Sequence, residues 1–372
     1  MTGKVRGDLD QYFMRLAIRE AKKGRGKTSP NPCVGAVLVK DGSLIGKGYH
    51  KRAGMPHAEV EALSSTKEDP SGATLYVTLE PCNHYGRTPP CTEAILKARI
   101  KRVVIGTLDP NPHVEGGGKE RLKREGIEVV EGVLERECYR LNEGYMKYVR
   151  TGLPFVYAKA AITLDGFTAT STGDSKWITG ERARRYGHRL RSMVDAVMVG
   201  SGTVLKDDPL LNVRLIRSKK TPYRVVLDSR LSIPQDSALL RDGKDVILIT
   251  GEGVDIQRIL PYESKGARVI RCPTRGGRID ALSCLKILGK MGIQTILLEG
   301  GATLTASFLE ERMVDKFYVF VAPKLLGGSD GHPVIRGVGP TEIRNTLRLT
   351  QTEVVRLGED ILIAGCLEYP ES

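Results

Sequence analysis

Four residues in the N-terminal third of the chain have the types and order that hold a catalytic metal ion. His57 and Glu59 lie two positions apart at a predicted helix start. Cys82 and Cys91 bracket the insert in LEPCNHYGRTPPC, just after a predicted strand. Two thiolates and an imidazole can bind Zn²⁺ and leave a fourth position for water. The metal lowers the pKa of that water to about 7, and a nearby carboxylate can move its proton.

This order of residues is the signature of zinc-dependent nucleobase deaminases, in which the two cysteines normally lie three positions apart. Here Cys91 follows Cys82 by nine positions. The longer loop costs little because closure entropy grows only logarithmically with length. A helix start at Cys91 also favours its thiolate. The pattern predicts His57, Cys82 and Cys91 as zinc ligands. It predicts Glu59 as the proton shuttle.

Other uses of these residues remain open, because each of them taken alone would more often be part of a core. A disulfide is disfavoured by the odd count of seven cysteines and by the absence of an apolar signal segment in MTGKVRGDLDQYF. These features predict a cytoplasmic protein. The remaining cysteines are interpreted as small core residues: Cys33, Cys138, Cys272, Cys284 and Cys366. No apolar stretch is long enough for a transmembrane helix, so no membrane partner is expected.

The net charge of +13 over 372 residues suits either an anionic small substrate or a nucleic acid. Aromatic residues make up 5% of the chain, which provides few surfaces for stacking bases. A nucleic-acid deaminase is therefore the weaker alternative, and it leaves residues 150–372 unexplained. A protein that uses zinc only structurally is also disfavoured, because such sites normally have four protein ligands. Loss of function in one half is a further alternative.

Hydrophobic periodicity and turn residues predict two domains, 1–150 and 151–372. The first is predicted to contain helices at 9–23, 57–65, 91–98, 118–125 and 134–149 and strands at 34–39, 44–49, 73–79, 103–107 and 127–130. The second is predicted to contain strands at 155–163, 194–199, 223–228, 245–250, 267–271, 293–298, 315–322, 346–356 and 360–368 and helices at 180–192, 255–262, 279–290 and 303–312. This alternation predicts mostly parallel sheets with helices on both faces.

Several longer segments resemble the deaminase half of the bifunctional riboflavin-biosynthesis deaminase/reductase family. They are SPNPCVGAVLV, GKGYHKRAGMPHAEVEAL, TLEPCNHYGRTPPCTEAI and DPNPHVEGGG. The resemblance implies an α/β fold, with a cytidine-deaminase-like three-layer α/β/α domain at the N-terminus. It implies the same zinc ligands and proton shuttle. The implied substrate is a pyrimidinone that carries a 5-phosphoribosylamino group and loses one amine by hydrolysis.

Substrate contacts in this half are predicted on both sides of the metal. Asn31 matches a position that contacts the base in related deaminases, and His50 is placed to point into the pocket. His84, Arg87 and Thr88 lie in the insert and offer the donors that a ribose phosphate needs. A solvated loop is the alternative interpretation of these three residues.

The segment TILLEGGATLTASFLEE places two glycines between a strand and a helix, where backbone amides can approach a phosphate. Gly-Gly is also an ordinary turn. With AKAAITLDGFTAT, GDSKWITG and VGSGTVLKDDPLLNVR, it resembles the reductase half of the same family. The resemblance implies a dihydrofolate-reductase-like α/β domain with NADPH across the carboxyl ends of the strands. The implied cofactor positions are Ala161, Trp177, Thr203, Asp207, Ser229, Gly301, Ala302, Thr303, Leu304, Thr305, Ala306 and Ser307.

The implied substrate positions in the reductase half are Ser175, Arg191, Leu211, Arg214 and Glu299. Guanidinium groups such as those of Arg191 and Arg214 bind phosphate with two parallel hydrogen bonds, although surface ion pairing is the alternative. The implied reaction transfers hydride from NADPH to C1 of the ribosyl group and yields a ribityl chain. The proton donor remains open among Asp165, Asp207 and Glu299.

Three further points stay open at the level of sequence. Trp177 either shapes the nicotinamide pocket or belongs to a core. Ser229 and Arg230 are candidates to meet a 2′-phosphate, and the preference for NADPH over NADH is not fixed. The resemblance covers about residues 8–368. The expected partners are the small-molecule substrate and further copies of the chain in a homo-oligomer, with no nucleic acid.

Overall fold

A computed structural model of the chain describes residues 3–86, 89–111, 117–218, 220–241 and 243–370. The chain divides into two structural units, Met1–Gly152 and Leu153–Ser372. Within the described ranges, no helix is both long and apolar enough to cross a membrane. All seven cysteines fall in these ranges and are free thiols.

The N-terminal unit is a five-stranded mixed sheet with the strand order β2-β1-β3-β4-β5. Its elements are α1 (Gly3–Lys22), β1 (Gly35–Lys40), β2 (Ser43–Tyr49), α2 (Ala58–Ser65), β3 (Thr74–Leu79), α3 (Cys91–Lys97), β4 (Arg102–Thr107), α4 (Gly118–Arg124), β5 (Glu128–Val130), α5 (Glu135–Leu141) and α6 (Glu143–Thr151). Strands β3, β4 and β5 are parallel, so their carboxyl ends share one edge of the sheet.

Alternation along β1 explains why helices cover both faces of this sheet. Ala36 and Leu38 point into the core that includes residues of α2 and α3. Val37 and Val39 point into the core that includes residues of α1 and α5. Successive side chains of a strand face opposite sides, so each face needs its own helical layer. The α/β/α arrangement follows, and the predicted three layers are confirmed.

One predicted helix was wrong: the segment 134–149 forms two helices, α5 and α6, which meet at Asn142. The Asn142 side chain accepts a hydrogen bond from the Cys33 backbone N–H at 2.6 Å and donates to the Cys33 carbonyl at 3.0 Å. Asn142 itself leaves helical geometry, with φ −127°. These two bonds hold the loop that carries Asn31, so the helix break positions part of a site.

The C-terminal unit contains a nine-stranded sheet with the strand order β11-β10-β9-β8-β14-β6-β15-β18-β17. Its elements are β6 (Phe155–Thr163), β7 (Phe167–Ala169), α7 (Glu181–Arg191), β8 (Ala196–Gly200), α8 (Ser201–Asp207), β9 (Tyr223–Leu227), β10 (Val246–Gly251), α9 (Ile256–Glu263), β11 (Arg268–Cys272), β12 (Thr274–Arg275), β13 (Arg278–Ile279), α10 (Ala281–Lys290), β14 (Thr295–Leu298), α11 (Ala302–Glu310), β15 (Lys316–Ala322), β16 (His332–Pro333), β17 (Arg348–Leu357) and β18 (Asp360–Glu368). Seven strands from β11 to β15 run parallel, and β18 and β17 close the sheet antiparallel.

The order of these strands creates a crevice at their carboxyl ends. The chain builds outward from β8 to β11 and then returns to place β14 on the other side of β8. Ligands of open α/β sheets bind where the strand order reverses in this way. Gly200 ends β8 and Gly300 follows β14, so both glycines lie at the reversal. The sequence did not predict α8 or the β12–β13 hairpin, which also border this crevice.

Candidate active sites

The three predicted metal ligands come together in the N-terminal unit. His57 is the residue that caps α2, Cys82 follows β3, and Cys91 is the first residue of α3. His57 Nδ1 lies 3.2 Å from Cys91 Sγ and 3.5 Å from Cys82 Sγ. All three donor atoms lie within 4.8 Å of one another.

The chemistry and spacing of these donors fit a zinc ion. Tetrahedral Zn²⁺ with ordinary Zn–N and Zn–S bonds separates nitrogen from sulfur by about 3.5 Å, close to the distances in this group. A hydrogen bond from the Cys91 thiol lowers the pKa of Cys82, which favours the thiolate that zinc requires. The Cys91 backbone N–H also donates to Cys82 Sγ at 3.3 Å. The long insert therefore still brings both sulfurs to one point.

Glu59 lies in the first turn of α2 and is 3% exposed. Burial raises the pKa of Glu59 to about 7. Its carboxyl group also hydrogen-bonds with the Cys91 thiol, which places it beside the metal donors. A carboxyl group with a pKa near neutrality can both accept and release a proton under physiological conditions.

Asn31 and His50 are joined in the wall of the same cavity, and the His50 ring lies 5.2 Å from the His57 ring between centroids. His50 Nδ1 lies 3.1 Å from the Pro56 carbonyl oxygen, and Nε2 lies 3.0 Å from Asn31 Nδ2. A carbonyl only accepts, so Nδ1 carries the proton and Nε2 accepts from the Asn31 amide. This arrangement leaves the Asn31 side-chain oxygen as the acceptor toward the cavity. His50 is thus an orienting residue for Asn31.

The cavity measures about 420 Å³ and also contains groups that the sequence did not single out. Asp109 lines it and accepts hydrogen bonds from the Tyr145 hydroxyl at 3.1 Å to each carboxylate oxygen. Burial raises the pKa of Asp109. Glu80 lines the cavity as well and accepts from the Asp109 backbone N–H at 3.3 Å. The segment DPNPHVEGGG contains Asp109, but its type and spacing alone did not indicate a role.

The insert between the two cysteines is fixed to α3 at its first residues. The Asn83 side chain accepts from the Thr92 hydroxyl at 2.9 Å, and the Tyr85 hydroxyl donates to Glu93 at 2.6 Å. His84 is exposed on the insert and lines the cavity. Arg87 and Thr88 lie outside the described residues.

A larger cavity of about 930 Å³ lies at the carboxyl ends of the strands in the C-terminal unit. Its lining includes all five predicted substrate positions, namely Ser175, Arg191, Leu211, Arg214 and Glu299. It includes the predicted cofactor positions Ala161, Trp177, Thr203, Asp207, Ser229, Gly301, Ala302, Thr303, Leu304, Thr305 and Ser307. Ala306 is the exception: it is 1% exposed, and its methyl group lies close to Gly337.

Arg191 and Glu299 form a two-pronged ion pair in this cavity. Arg191 Nε lies 2.6 Å from Glu299 Oε1, and Nη2 lies 2.9 Å from Oε2. Burial raises the pKa of Glu299, but the Arg191 guanidinium outweighs it and lowers the value to about 2. A third Arg191 nitrogen donates to the Asn212 carbonyl at 3.0 Å. Arg191 is therefore ion-paired, as the alternative interpretation has it, but the pair lies in the cavity and not on the surface.

Two titratable residues missed in the sequence lie beside this pair. Lys159 comes from β6 and lines the cavity. Burial lowers the pKa of Lys159, and the Glu299 carboxylate partly opposes that shift. His188 on α7 accepts from the Arg214 backbone N–H at 3.2 Å, and burial lowers the pKa of His188 to about 4. At neutral pH, His188 is therefore an uncharged acceptor that fixes the backbone at Arg214.

The surroundings of Trp177 and Asp165 distinguish between the roles that the sequence left open for each residue. Trp177 is 60% exposed at the cavity, and the Arg184 guanidinium lies 4.5 Å from its ring centroid. The core interpretation of Trp177 is therefore wrong. The Asp165 carboxylate accepts from the backbone N–H groups of Leu326 and Gly327 at 2.9 and 2.8 Å. Asp165 holds a loop and is not among the residues that line the cavity.

Two family descriptions match the chain, one in each half. Residues 8–107 match the cytidine and deoxycytidylate deaminase zinc-binding region, and residues 154–363 match the RibD C-terminal domain. Together with the two cavities, they define a bifunctional enzyme that combines a zinc-dependent deaminase with an NADPH-dependent reductase. The predicted fold class, with a deaminase-like and a reductase-like domain, is confirmed.

Individual relatives match nearly the whole length. The chain is 45% identical over 361 residues to riboflavin biosynthesis protein RibD of Actinobacillus pleuropneumoniae, covering 97% of this chain and 95% of that one. The structure of Acinetobacter baumannii RibD, form 1, matches with a TM-score of 0.87 at 39% identity, covering 97% and 99%. A second solved structure is that of the Thermotoga maritima diaminohydroxyphosphoribosylaminopyrimidine deaminase/5-amino-6-(5-phosphoribosylamino)uracil reductase. It matches with a TM-score of 0.85 at 38% identity, and the match covers 98% of this chain and 99% of that one. The chain belongs to the RibD family of riboflavin biosynthesis, and its cofactors are Zn²⁺ and NADPH.

Proposed function

We propose that this enzyme deaminates 2,5-diamino-6-(5-phosphoribosylamino)pyrimidin-4-one and then reduces the ribosyl group of the product to a ribityl chain. The observation that carries the proposal is the presence of two complete polar centres in one chain. One is the group of His57, Cys82 and Cys91 with Glu59 beside it. The other is the Arg191–Glu299 pair in the larger cavity. The substrate follows the name of the Thermotoga maritima relative.

In the deaminase, His57, Cys82 and Cys91 would hold the zinc ion. The bound metal supplies polarisation of a water oxygen, which lowers the pKa of that water to about 7. Glu59 takes one proton from the attacking water and gives it to the ring nitrogen; it then takes the second proton, from the hydroxyl group added to the ring carbon, and gives it to the amine, which leaves as ammonia. Glu59 is buried beside the metal donors, where a carboxyl group can take up and release a proton in each turnover. Asn31 binds the pyrimidine through the side-chain oxygen that His50 orients.

We assign the selection of one pyrimidine substrate over another to Asp109 in the lining of the deaminase cavity. The Tyr145 hydroxyl lies within hydrogen-bond distance of both carboxylate oxygens of Asp109 and so fixes the orientation of the carboxylate. A carboxylate accepts hydrogen bonds, and the proposed substrate carries amino groups that cytidine lacks. His84 lies near Asp109 and is exposed, so it is available to the sugar-phosphate arm. Arg87 and Thr88 are proposed for the same arm.

In the reductase, NADPH supplies the hydride that reaches C1 of the ribosyl group. Residues 301–307, apart from Ala306, line the cavity at the start of α11, where backbone N–H groups favour a phosphate. Lys159, Arg191 and Arg214 line the same cavity and supply positive charge for the substrate phosphate and ring oxygens. Glu299 stays ionised, with a pKa of about 2, and holds Arg191 in place. Lys159 is the titratable donor beside that pair.

We further propose a cytoplasmic homo-oligomer. Zinc-binding thiolates require the reduced state that the cytosol maintains. Self-association is supported by β17, the last strand of the nine-stranded sheet, on which Val354 is 70% exposed. The unpaired backbone groups of an edge strand can pair with a strand of another chain. Sedimentation of the purified protein at micromolar concentration tests this: a single species at the monomer mass contradicts it.

The deaminase assignment is tested with Cys91→Ala and the matched control Cys366→Ala, which removes a thiol from the other unit. The Cys91→Ala variant is expected to lose zinc and ammonia release while NADPH-dependent reduction of supplied 5-amino-6-(5-phosphoribosylamino)uracil continues. Cys366→Ala should keep all three. Full zinc occupancy and full deamination in Cys91→Ala would remove Cys91 from the site. Ammonia release from cytidine but not from the diaminopyrimidine would overturn the substrate.

A further inference from the structure

The larger cavity extends along the carboxyl ends of several strands. Its lining residues come from β6, the segment after β14, β8, the segment after β9, and the β12–β13 hairpin, which lies against β10. Neighbouring strands lie about 4.8 Å apart, so the four spacings from β6 to β10 amount to roughly 19 Å. A ligand that occupies both ends must be extended, as a dinucleotide is.

The two ends of this cavity differ in chemistry, and the difference orients the cofactor. Lys159, Arg191 and Glu299 lie toward β6 and β14, where the proposed substrate binds. Hydride transfer requires the nicotinamide at that end, so the inference rests on the proposed function. Backbone N–H groups at the start of α11 line the cavity and would hold the pyrophosphate. The adenosine half then extends toward the ends of β9 and β10.

The adenosine end contains an arginine on a short hairpin. Gly276 and Gly277 form its turn, with φ values of 56° and 75° in the region that favours glycine. The Ser229 hydroxyl donates to the Gly277 carbonyl at 2.9 Å and ties the turn to the end of β9. Arg278 follows the turn, and its Nη1 donates to the Ser307 hydroxyl on α11 at 3.3 Å. The hairpin, β9 and α11 thus converge on one side of the cavity.

We infer that Arg278, positioned by the hydrogen bonds from Ser229 to Gly277 and from Arg278 to Ser307, binds the 2′-phosphate of the NADPH adenosine ribose. Arg278, Ser229 and Ser307 line the cavity. A guanidinium has five N–H donors, and within the described part of the chain Ser307 is the acceptor that Arg278 meets. The guanidinium N–H groups of Arg278 that do not bind Ser307 can bind a phosphate monoester with two parallel hydrogen bonds. NADH has a hydroxyl group at the 2′ position of the adenosine ribose, so it would leave the Arg278 guanidinium without an anion to bind.

Neighbouring arginines differ from Arg278 in their surroundings. Arg275 pairs with Arg278 across the hairpin, but its side chain is 80% exposed and its Nη2 lies 3.6 Å from an Asp280 carboxylate oxygen. Arg230, the residue that the sequence suggested, and Arg278 are both exposed, so the difference lies in which of them lines the cavity. Neither Arg275 nor Arg230 is among the residues that line the cavity. Arg275 therefore provides a control with the same charge on the same hairpin.

Calorimetric binding of adenosine 2′,5′-bisphosphate and of 5′-AMP to the full-length protein tests the site without any turnover. Arg278→Gln is expected to weaken bisphosphate binding about 10- to 100-fold, as the loss of a charged hydrogen-bond pair does. Binding of 5′-AMP should change less than about threefold, since it has no 2′-phosphate. Arg275→Gln should change both affinities less than about threefold. Equal losses for both ligands in Arg278→Gln, or an equal bisphosphate loss in Arg275→Gln, would overturn the assignment.

Kinetics provide a second readout. Arg278→Gln should raise the KM for NADPH about 10-fold or more while kcat at saturating NADPH and the KM for NADH stay within about threefold. Zinc-dependent ammonia release should be unchanged, and the retained kcat at saturating NADPH shows that the C-terminal unit of the variant folds. An unchanged ratio of kcat/KM for NADPH over NADH would contradict the inference. A wild-type protein that reduces no pyrimidine would refute the proposed function alone, because bisphosphate binding is measured independently.

Discussion

Arg191 and Glu299 face each other with two parallel hydrogen bonds, between Nε and Oε1 at 2.6 Å and between Nη2 and Oε2 at 2.9 Å. Their side chains are 14% and 12% exposed. Arg191 ends α7, and Glu299 directly follows β14. The pair therefore joins the end of a helix to the end of a strand and fixes one positive and one negative group in the larger cavity.

Glu299→Gln should destabilise the C-terminal unit and abolish reduction, because it leaves the Arg191 charge enclosed without its partner. Breaking a buried ion pair from one side costs about 3–5 kcal/mol. Urea unfolding measures the free energy, and NADPH oxidation measures activity. The double variant Arg191→Met/Glu299→Leu should recover most of the stability but no reduction. Recovery of reduction in the double variant would show that the pair has no role in the chemistry.

Glu59→Gln should reduce ammonia release about 10²- to 10⁴-fold, the usual contribution of a positioned acid–base group. Zinc content should remain at the wild-type level, because Glu59 is a proton shuttle and not a ligand. The matched control is Glu61→Gln, two positions along α2, where the carboxylate pairs with Lys51 at 2.7 Å. Atomic absorption and an ammonia assay compare the two variants. Equal activity losses in both would assign the effect to the helix.

The metal-free protein should gain stability from Glu59→Gln at high pH. Burial raises the pKa of Glu59 from 4.5 to about 7. A raised carboxyl pKa makes the ionised form unfavourable in the folded state, so stability falls as pH rises from 4.5 and the full cost is present above 7. The variant should be more stable by about 3 kcal/mol at pH 8 and nearly equal to wild type at pH 4.5. Urea unfolding in chelator measures the difference; a pH-independent difference would contradict it.

Lys159→Met should abolish reduction while NADPH binding and ammonia release persist. The ammonium group lies in the substrate end of the cavity, beside the Glu299 carboxylate. Methionine keeps the length of the side chain and removes its charge and its donors. Lys290→Met, at the exposed end of α10, is the control for loss of one charge. Loss of NADPH binding in Lys159→Met would instead assign Lys159 to the cofactor.

The deaminase site was predictable where its residues are close in sequence and chemically distinctive. His57 and Glu59 share one helix start, and Cys82 and Cys91 flank one loop, so types and spacing were enough. Asp109 was not predictable, because its position depends on the pairing of β3 with β4 and on Tyr145 of α6. Such neighbours are created by the sheet and have no local pattern.

Predictions of secondary structure failed where side chains compete with the backbone or where elements are very short. The apolar pattern continues through Asn142, but its two bonds to Cys33 break the helix. The hairpin Thr274–Ile279 has two residues in each strand, which is too few to show the alternation of apolar and polar residues that predicts a strand. Lys159 lies within a strand of largely apolar residues, where sequence gives no sign that one side chain faces a ligand cavity.

The most direct test of the account is a single reaction in two stages with the zinc-loaded protein. In the first stage, 2,5-diamino-6-(5-phosphoribosylamino)pyrimidin-4-one is added without NADPH, and the released ammonia is measured. In the second stage, NADPH is added, and its oxidation is followed by absorbance. We predict ammonia release before NADPH is present, and then oxidation of NADPH in an amount equal to the ammonia released. Absence of both signals, or NADPH oxidation with no earlier ammonia, would contradict the assignment of the two centres.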